Sequence, residues 1–165
     1  MDALPSALRA YAAGDSTTQA ALLDEVEPLL FGFLRSMTPS GPDAHDRAVE
    51  AAHELLLAFD LMAARGNVEL RDEGALKSFC HRLAMKKLGV GGGGGGARAG
   101  LASLADPATG SLAERAPGFG LLIRRTLDAG AEATFLRLLL GEAPEAEAAF
   151  APWRARLVGC GILRP

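Results

Sequence analysis

The sequence predicts an all-α protein, and three observations carry that prediction. Apolar residues recur at intervals of three and four over long stretches, helix-start signals stand in front of those stretches, and no alternating apolar–polar run of useful length occurs anywhere. Hydrophobic residues make up 49% of the 165 positions and charged residues 22%, the balance of a chain that can bury a core.

The first helix is expected from Ser16, which is followed three residues later by Gln19 in a capping-box spacing. Leu22, Leu23, Val26, Leu29, Leu30, Phe33, Leu34 and Met37 then form one apolar stripe, interrupted by Pro28, whose missing N–H should bend the axis. The second runs from Asp43, an N-cap after Pro42, to about Ala64, with Ala48, Ala51, Ala52, Leu55, Leu56, Phe59 and Met62 on one side and Gly66 at its end. The third starts near Asp72, places Leu76, Phe79, Cys80 and Leu83 inward and Lys77, Arg82, Lys86 and Lys87 elsewhere, and stops at Gly89. Residues 1–15 read as an N-terminal extension and residues 16–88 as one helical domain.

Residues 89–100 include six consecutive glycines, Gly91 to Gly96. Glycine loses the most backbone entropy on ordering, so this stretch is expected to be a flexible linker. A phosphate-binding glycine loop needs a preceding strand and a Lys-Ser/Thr pair inside it, and neither is present. Beyond it, residues 101–165 form a helical C-terminal region: a short helix at Ser111 to Arg115, then Leu121 to Leu127, Glu132 to Leu140, and Pro144 to Val158 with Phe150, Trp153 and Leu157 on one face.

Charge is unevenly spread. Residues 1–66 carry a net −6, residues 67–98 a net +3 with all three lysines of the chain, and residues 99–165 a net zero. The overall −3 gives no global nucleic-acid footprint, so any such contact has to come from the short basic segment. No apolar run approaches the roughly 18 residues of a membrane-spanning helix, and no basic, then apolar leader opens the chain, which points to a cytoplasmic protein. Cys80 and Cys160 fit neither a disulfide framework nor a paired metal motif, and His45, His53 and His81 are scattered, so no metal and no cofactor is expected. No nucleophile–base arrangement appears, and Cys80 lies on an apolar stripe, so an enzyme is the least favoured class.

Residues from about 22 to 88 resemble the second conserved region of extracytoplasmic-function σ factors, small σ70-family subunits of bacterial RNA polymerase. Val26-Glu27-Pro28-Leu29-Leu30 leading to Phe33-Leu34-Arg35 is similar to the family's tyrosine-x-proline-x-leucine stretch. Asp43-Ala44-His45-Asp46 followed by Glu50 resembles the opening of its polymerase-binding helix, and Leu76-Lys77-Ser78-Phe79-Cys80-His81-Arg82-Leu83-Ala84 resembles its promoter-reading helix. Departures fall at Arg47, Ala52, Glu54, Phe79 and Lys86, and residues 121–165 show no counterpart of the family's basic helix-turn-helix.

The resemblance implies a three-helix bundle in which Asp43, Asp46 and Glu50 dock on the β′ clamp of core RNA polymerase and Lys77, Arg82, Lys86 and Lys87 face promoter DNA. A basic strip of that kind acts by releasing counterions from phosphate. Phe79 is a core residue by its place beside Leu76 and Leu83, with base stacking the alternative, and His81 serves either for stacking or as a solvated surface residue. A second expectation belongs to another class: a helical-bundle interaction or adaptor module of σ-like fold that binds a regulatory protein partner and no DNA.

Overall fold

A computed structural model describes residues 3–89 and 116–163. The described chain is all-α, as expected. Helix α1 spans Ala3–Ala12, α2 Ser16–Met37, α3 Ala44–Ala64, α4 Glu73–Lys87, α5 Phe119–Thr126, α6 Ala129–Leu139 and α7 Glu147–Gly159, with a 3₁₀ turn at Pro144–Ala146. The short helix expected at Ser111 to Arg115, and the glycine stretch beyond Gly89, lie outside the described residues.

Helix α2 begins where the periodicity placed it, with a different cap. Asp15 is the N-cap and accepts from the backbone N–H of Thr17 at 3.2 Å. Gln19, expected to close a capping box, is instead buried, and its amide donates to the Tyr11 carbonyl at 3.0 Å. Its stripe points inward as read, with Leu22, Leu23, Val26, Leu30 and Leu34 buried, and the helix continues through Pro28. The Asp72 side chain caps α4 by accepting from the Ala75 N–H at 2.8 Å. Gly66, at φ +74°, ends α3 in the left-handed region that a side chain would strain.

Helix α3 is the centre of the molecule. Its expected stripe packs against α2 and α4, while Glu54, Leu57, Ala58, Asp60, Leu61 and Ala64 are buried as well, so the helix is covered on nearly every side. The second covering comes from α5 and α6, which pack on α3. Leu8 and Tyr11 of α1, the α2–α4 stripes, and Ile123, Phe135, Leu138, Phe150 and Leu157 join one continuous hydrophobic core. The segments read as an N-terminal extension and a separate tail therefore share the core of residues 16–88.

A buried carboxylate ties the three parts together. Asp60 is fully buried; the Tyr11 hydroxyl donates to its Oδ1 at 2.6 Å and the Gly120 N–H to its Oδ2 at 2.6 Å. Gly120 is required there, because an added Cβ would stand 2.6 Å from the Asp60 carbonyl oxygen and 2.9 Å from the Ala64 Cβ. Close by, Arg124 donates to the Ala64 carbonyl at 3.0 Å, and Arg65 Nε approaches Glu132 Oε1 at 2.7 Å as an ion pair without hydrogen-bond alignment.

Burial pushes the Asp60 carboxyl up to about 6, with the hydrogen bonds from Tyr11 and Gly120 pulling the other way. Since the folded state then holds the proton to higher pH than the unfolded state, stability contributed by this group is present below about pH 4 and is lost as pH rises through about 6. Urea denaturation of the wild type and of Asp60→Asn across pH 4 to 7 is expected to show the wild type's advantage largest at the acid end and shrinking toward neutrality. A pH-independent difference would mean that Asp60 does not titrate in this window. Replacing Leu30 or Leu55, both fully buried, by Asp would leave an unpaired charge in the core and is expected to abolish the cooperative transition, read by far-UV circular dichroism.

Candidate functional site

The resemblance assigned two surfaces, and the structure treats them differently. Asp43 and Asp46 stand exposed at the N-terminal end of α3, where Asp43 precedes the first turn without making a side-chain cap and Asp46 lies within it. Negative charge there is favourable against the positive end of the helix dipole. His45 beside them packs edge-on against Phe31 at 5.5 Å. Glu50, one turn further along the same face, is half-buried and close enough to Glu54 to push that carboxyl upward. The acidic face thus starts open and runs beneath the C-terminal segment.

Glu54, at the next turn of that face, meets Lys87. The Lys87 ammonium donates to Glu54 Oε2 and to the Leu139 carbonyl of α6, the latter at 2.8 Å, and the two side chains are only 11% and 5% exposed. The backbone of Gly141, at φ +74° just after α6, lies against Lys87. Burial holds the Glu54 carboxyl above the ordinary carboxylate range; Lys87 opposes that rise, and Glu50 and Glu147 add to it.

Lys87 was expected to face promoter DNA on an open strip, and that expectation is corrected: its charge is enclosed between α3 and α6, where two acceptors use it. Lys86, half-exposed, pairs with Glu142 in the connection after α6. Lys77 is exposed and pairs with Glu73 one turn before it at 2.7 Å. Arg82 is exposed, with its guanidinium 5.8 Å from the centroid of Phe79. The four basic residues of α4 therefore do not form one open row. The C-terminal segment takes two of them, a neighbouring acid takes a third, and Arg82 stands on an aromatic ring.

Phe79 is half-buried, edge-on to Phe59 at 6.2 Å, in keeping with its place on the apolar stripe. His81 is exposed and packs edge-on against Phe33 at 5.0 Å, and His53 Nε2 lies 3.5 Å from Glu27 Oε1. All three histidines touch α2 at different points along it, and no group of three metal-ligating side chains occurs among the described residues. Cys80 is buried, which pushes its thiol up to about 12 and leaves it protonated at neutral pH. No described helix is long and apolar enough to cross a membrane.

No family model, curated protein or solved structure matches the chain. The likeness to σ factors accordingly rests on the three motifs of α2, α3 and α4.

The pairing of Lys87 changes what its substitution should do. Lys87→Ala would leave the buried Glu54 carboxylate without its counter-charge, for an expected loss of about 3–5 kcal/mol, whereas Lys86→Ala removes a half-exposed pair and is expected to cost about 1 kcal/mol or less. Chemical denaturation of the two variants measures the contrast. Equal, small losses would mean that Lys87 is not enclosed.

Proposed function

We propose that the chain is a protein-binding module of transcription regulation that meets core RNA polymerase through the outer end of α3, as its likeness to σ factors implies, and that it does not hold promoter DNA with a lysine strip. The observation that carries this reading is the split between the two assigned surfaces. Asp43 and Asp46 are exposed and offer two carboxylates at a helix start, while Lys86 and Lys87 are taken up by Glu142, Glu54 and the Leu139 carbonyl. A phosphate-binding strip works by exchanging counterions for ammonium groups; the Lys87 ammonium, enclosed with a carboxylate, has no counterion to exchange, and half-exposed Lys86 would have to leave Glu142 to do so.

The same pairing also favours the second reading, an adaptor of similar fold that binds a regulatory protein partner and no DNA. The two readings share the acidic surface and differ in who occupies it. On either, Lys77 and Arg82 are the side chains of α4 left to approach phosphate, a weak electrostatic grip at physiological salt.

Immobilised wild-type protein is expected to retain purified core polymerase, and Asp43→Lys with Asp46→Lys is expected to lose it while the circular dichroism spectrum stays unchanged. Retention of polymerase by the charge-reversed variant would remove the α3 surface from the interaction. Failure of the wild type to retain polymerase at all would leave the adaptor reading. Anisotropy with duplex and bubble DNA is expected to give no binding whose salt slope exceeds about two phosphates; a slope near four would restore a complete basic strip.

A further inference from the structure

Between the end of α3 and the cap of α4, residues 67–70 adopt neither helix nor turn. Their side chains alternate: Asn67 and Glu69 are exposed, while Val68 and Leu70 are 5% and 8% exposed and join the core. That is the in–out pattern of a strand. It lacks a strand's partner, because beyond the Asn67 N–H, which donates to the Met62 carbonyl at 3.0 Å, the backbone groups of Val68, Glu69 and Leu70 make no hydrogen bond among the described residues. A row of such groups is a template for pairing with another chain.

The flanks of this edge are hollow and basic. One hollow, of about 550 Å³, is bounded by Leu8, Arg9 and Arg71; the other, of about 500 Å³, by Phe79 and Arg82. Both share Val68, Glu69 and Leu70 as a common wall. Three exposed guanidiniums therefore line the two hollows against the Glu69 carboxylate, with the exposed Asp72 and Glu73 following Arg71 outside them, in a protein whose net charge is negative. Arg9 spends one donor on Ser6 and Arg82 rests on the Phe79 ring, so each keeps free N–H groups in the planar fork that suits carboxylates.

We propose that residues 67–71 form a docking edge for an extended, acidic segment of a partner protein, which adds to it as a strand and sets its carboxylates against Arg9, Arg71 and Arg82. Backbone pairing supplies the register, and the two hollows receive alternate side chains, which is how strand addition divides affinity from specificity. A single strand of nucleic acid would also meet the arginines and Phe79, yet its donors and acceptors lie on base edges and do not repeat along its backbone at a strand's spacing, so it cannot continue the pairing that Val68, Glu69 and Leu70 leave open among the described residues. The edge is separate from the α3 carboxylates, so its failure and theirs are distinguishable.

The test is fluorescence anisotropy of the full chain with a labelled octapeptide of alternating glutamate and valine. The same peptide N-methylated at every second amide, an alternating lysine–valine peptide, and a twelve-residue oligothymidylate serve as comparisons. The glutamate–valine peptide is expected to bind, N-methylation to weaken it by about tenfold or more, and Arg71→Glu and Arg82→Glu each to weaken it by about fivefold with thermal stability unchanged. Equal binding of the methylated peptide would overturn strand addition. Equal binding of the lysine–valine peptide would overturn the charge assignment, tighter arginine-dependent binding of the oligonucleotide would make this a nucleic-acid surface instead, and no binding of the glutamate–valine peptide would overturn the edge altogether.

Discussion

The structure depends on how two acidic side chains are satisfied inside α3. A helix covered on nearly every side has no solvent to which Glu54 and Asp60 can turn, and each ionised carboxylate left alone there would cost several kcal/mol. The partners come from far away in the chain. Lys87, at the end of α4, answers Glu54; Tyr11 from α1 and the Gly120 N–H from α5 answer Asp60. The apolar contacts can tolerate a small shift of one helix on another, whereas these contacts cannot, since a hydrogen bond weakens steeply once its geometry is lost. The buried acids thus fix the positions of α1 and α5 against α3 more narrowly than leucine packing does, and the apolar surfaces supply most of the cohesion.

Much of this was legible from spacing alone. The stripes of α2, α3 and α4 predicted the helices within a residue or two at most ends, because amphipathic periodicity and the Asp43 and Asp72 start signals are local properties. The C-terminal helices were placed within a few residues for the same reason. What stayed hidden was the second face of α3. Glu54 and Asp60 interrupt Leu57, Ala58 and Leu61, so that face reads as a mixed surface, and only partners 33 to 60 residues away turn its acids into core residues. Tyr11 was lost within an apparent extension because α1 is short: Leu4, Ala7, Leu8 and Tyr11 stand at i, i+3, i+4 and i+7, but the pattern covers barely two turns beside the long stripes that follow it.

The basic segment shows the same limit for function. Net charge by segment marked residues 67–98 as the positive part of the chain, and it is; charge counting cannot say whether a lysine faces solvent or a carboxylate. All three lysines turn out to be paired, with Glu73, Glu142 and Glu54, and the last two pairs join α4 to partners elsewhere in the fold.

Once the lysines are accounted for, the free positive charge around α4 belongs to arginines, and this division has a physical sense. An ammonium is a compact point charge that can be enclosed by one carboxylate and one carbonyl, as Lys87 is. A guanidinium is planar, more weakly hydrated and carries five donors, so it keeps unused hydrogen-bonding capacity even when it rests on an aromatic ring, as Arg82 does on Phe79. The protein consequently presents two surfaces of opposite character at separate places, carboxylates at the N-terminal end of α3 and guanidiniums flanking the segment that follows its C-terminal end. Because α3 is 21 residues long, its rise of about 1.5 Å per residue separates them by about 30 Å, well beyond the ~8 Å over which physiological salt leaves charges coupled. A partner held at one end therefore leaves the field at the other end almost unchanged, and the helix that buries two acids to hold the fold together also keeps the two surfaces electrostatically independent.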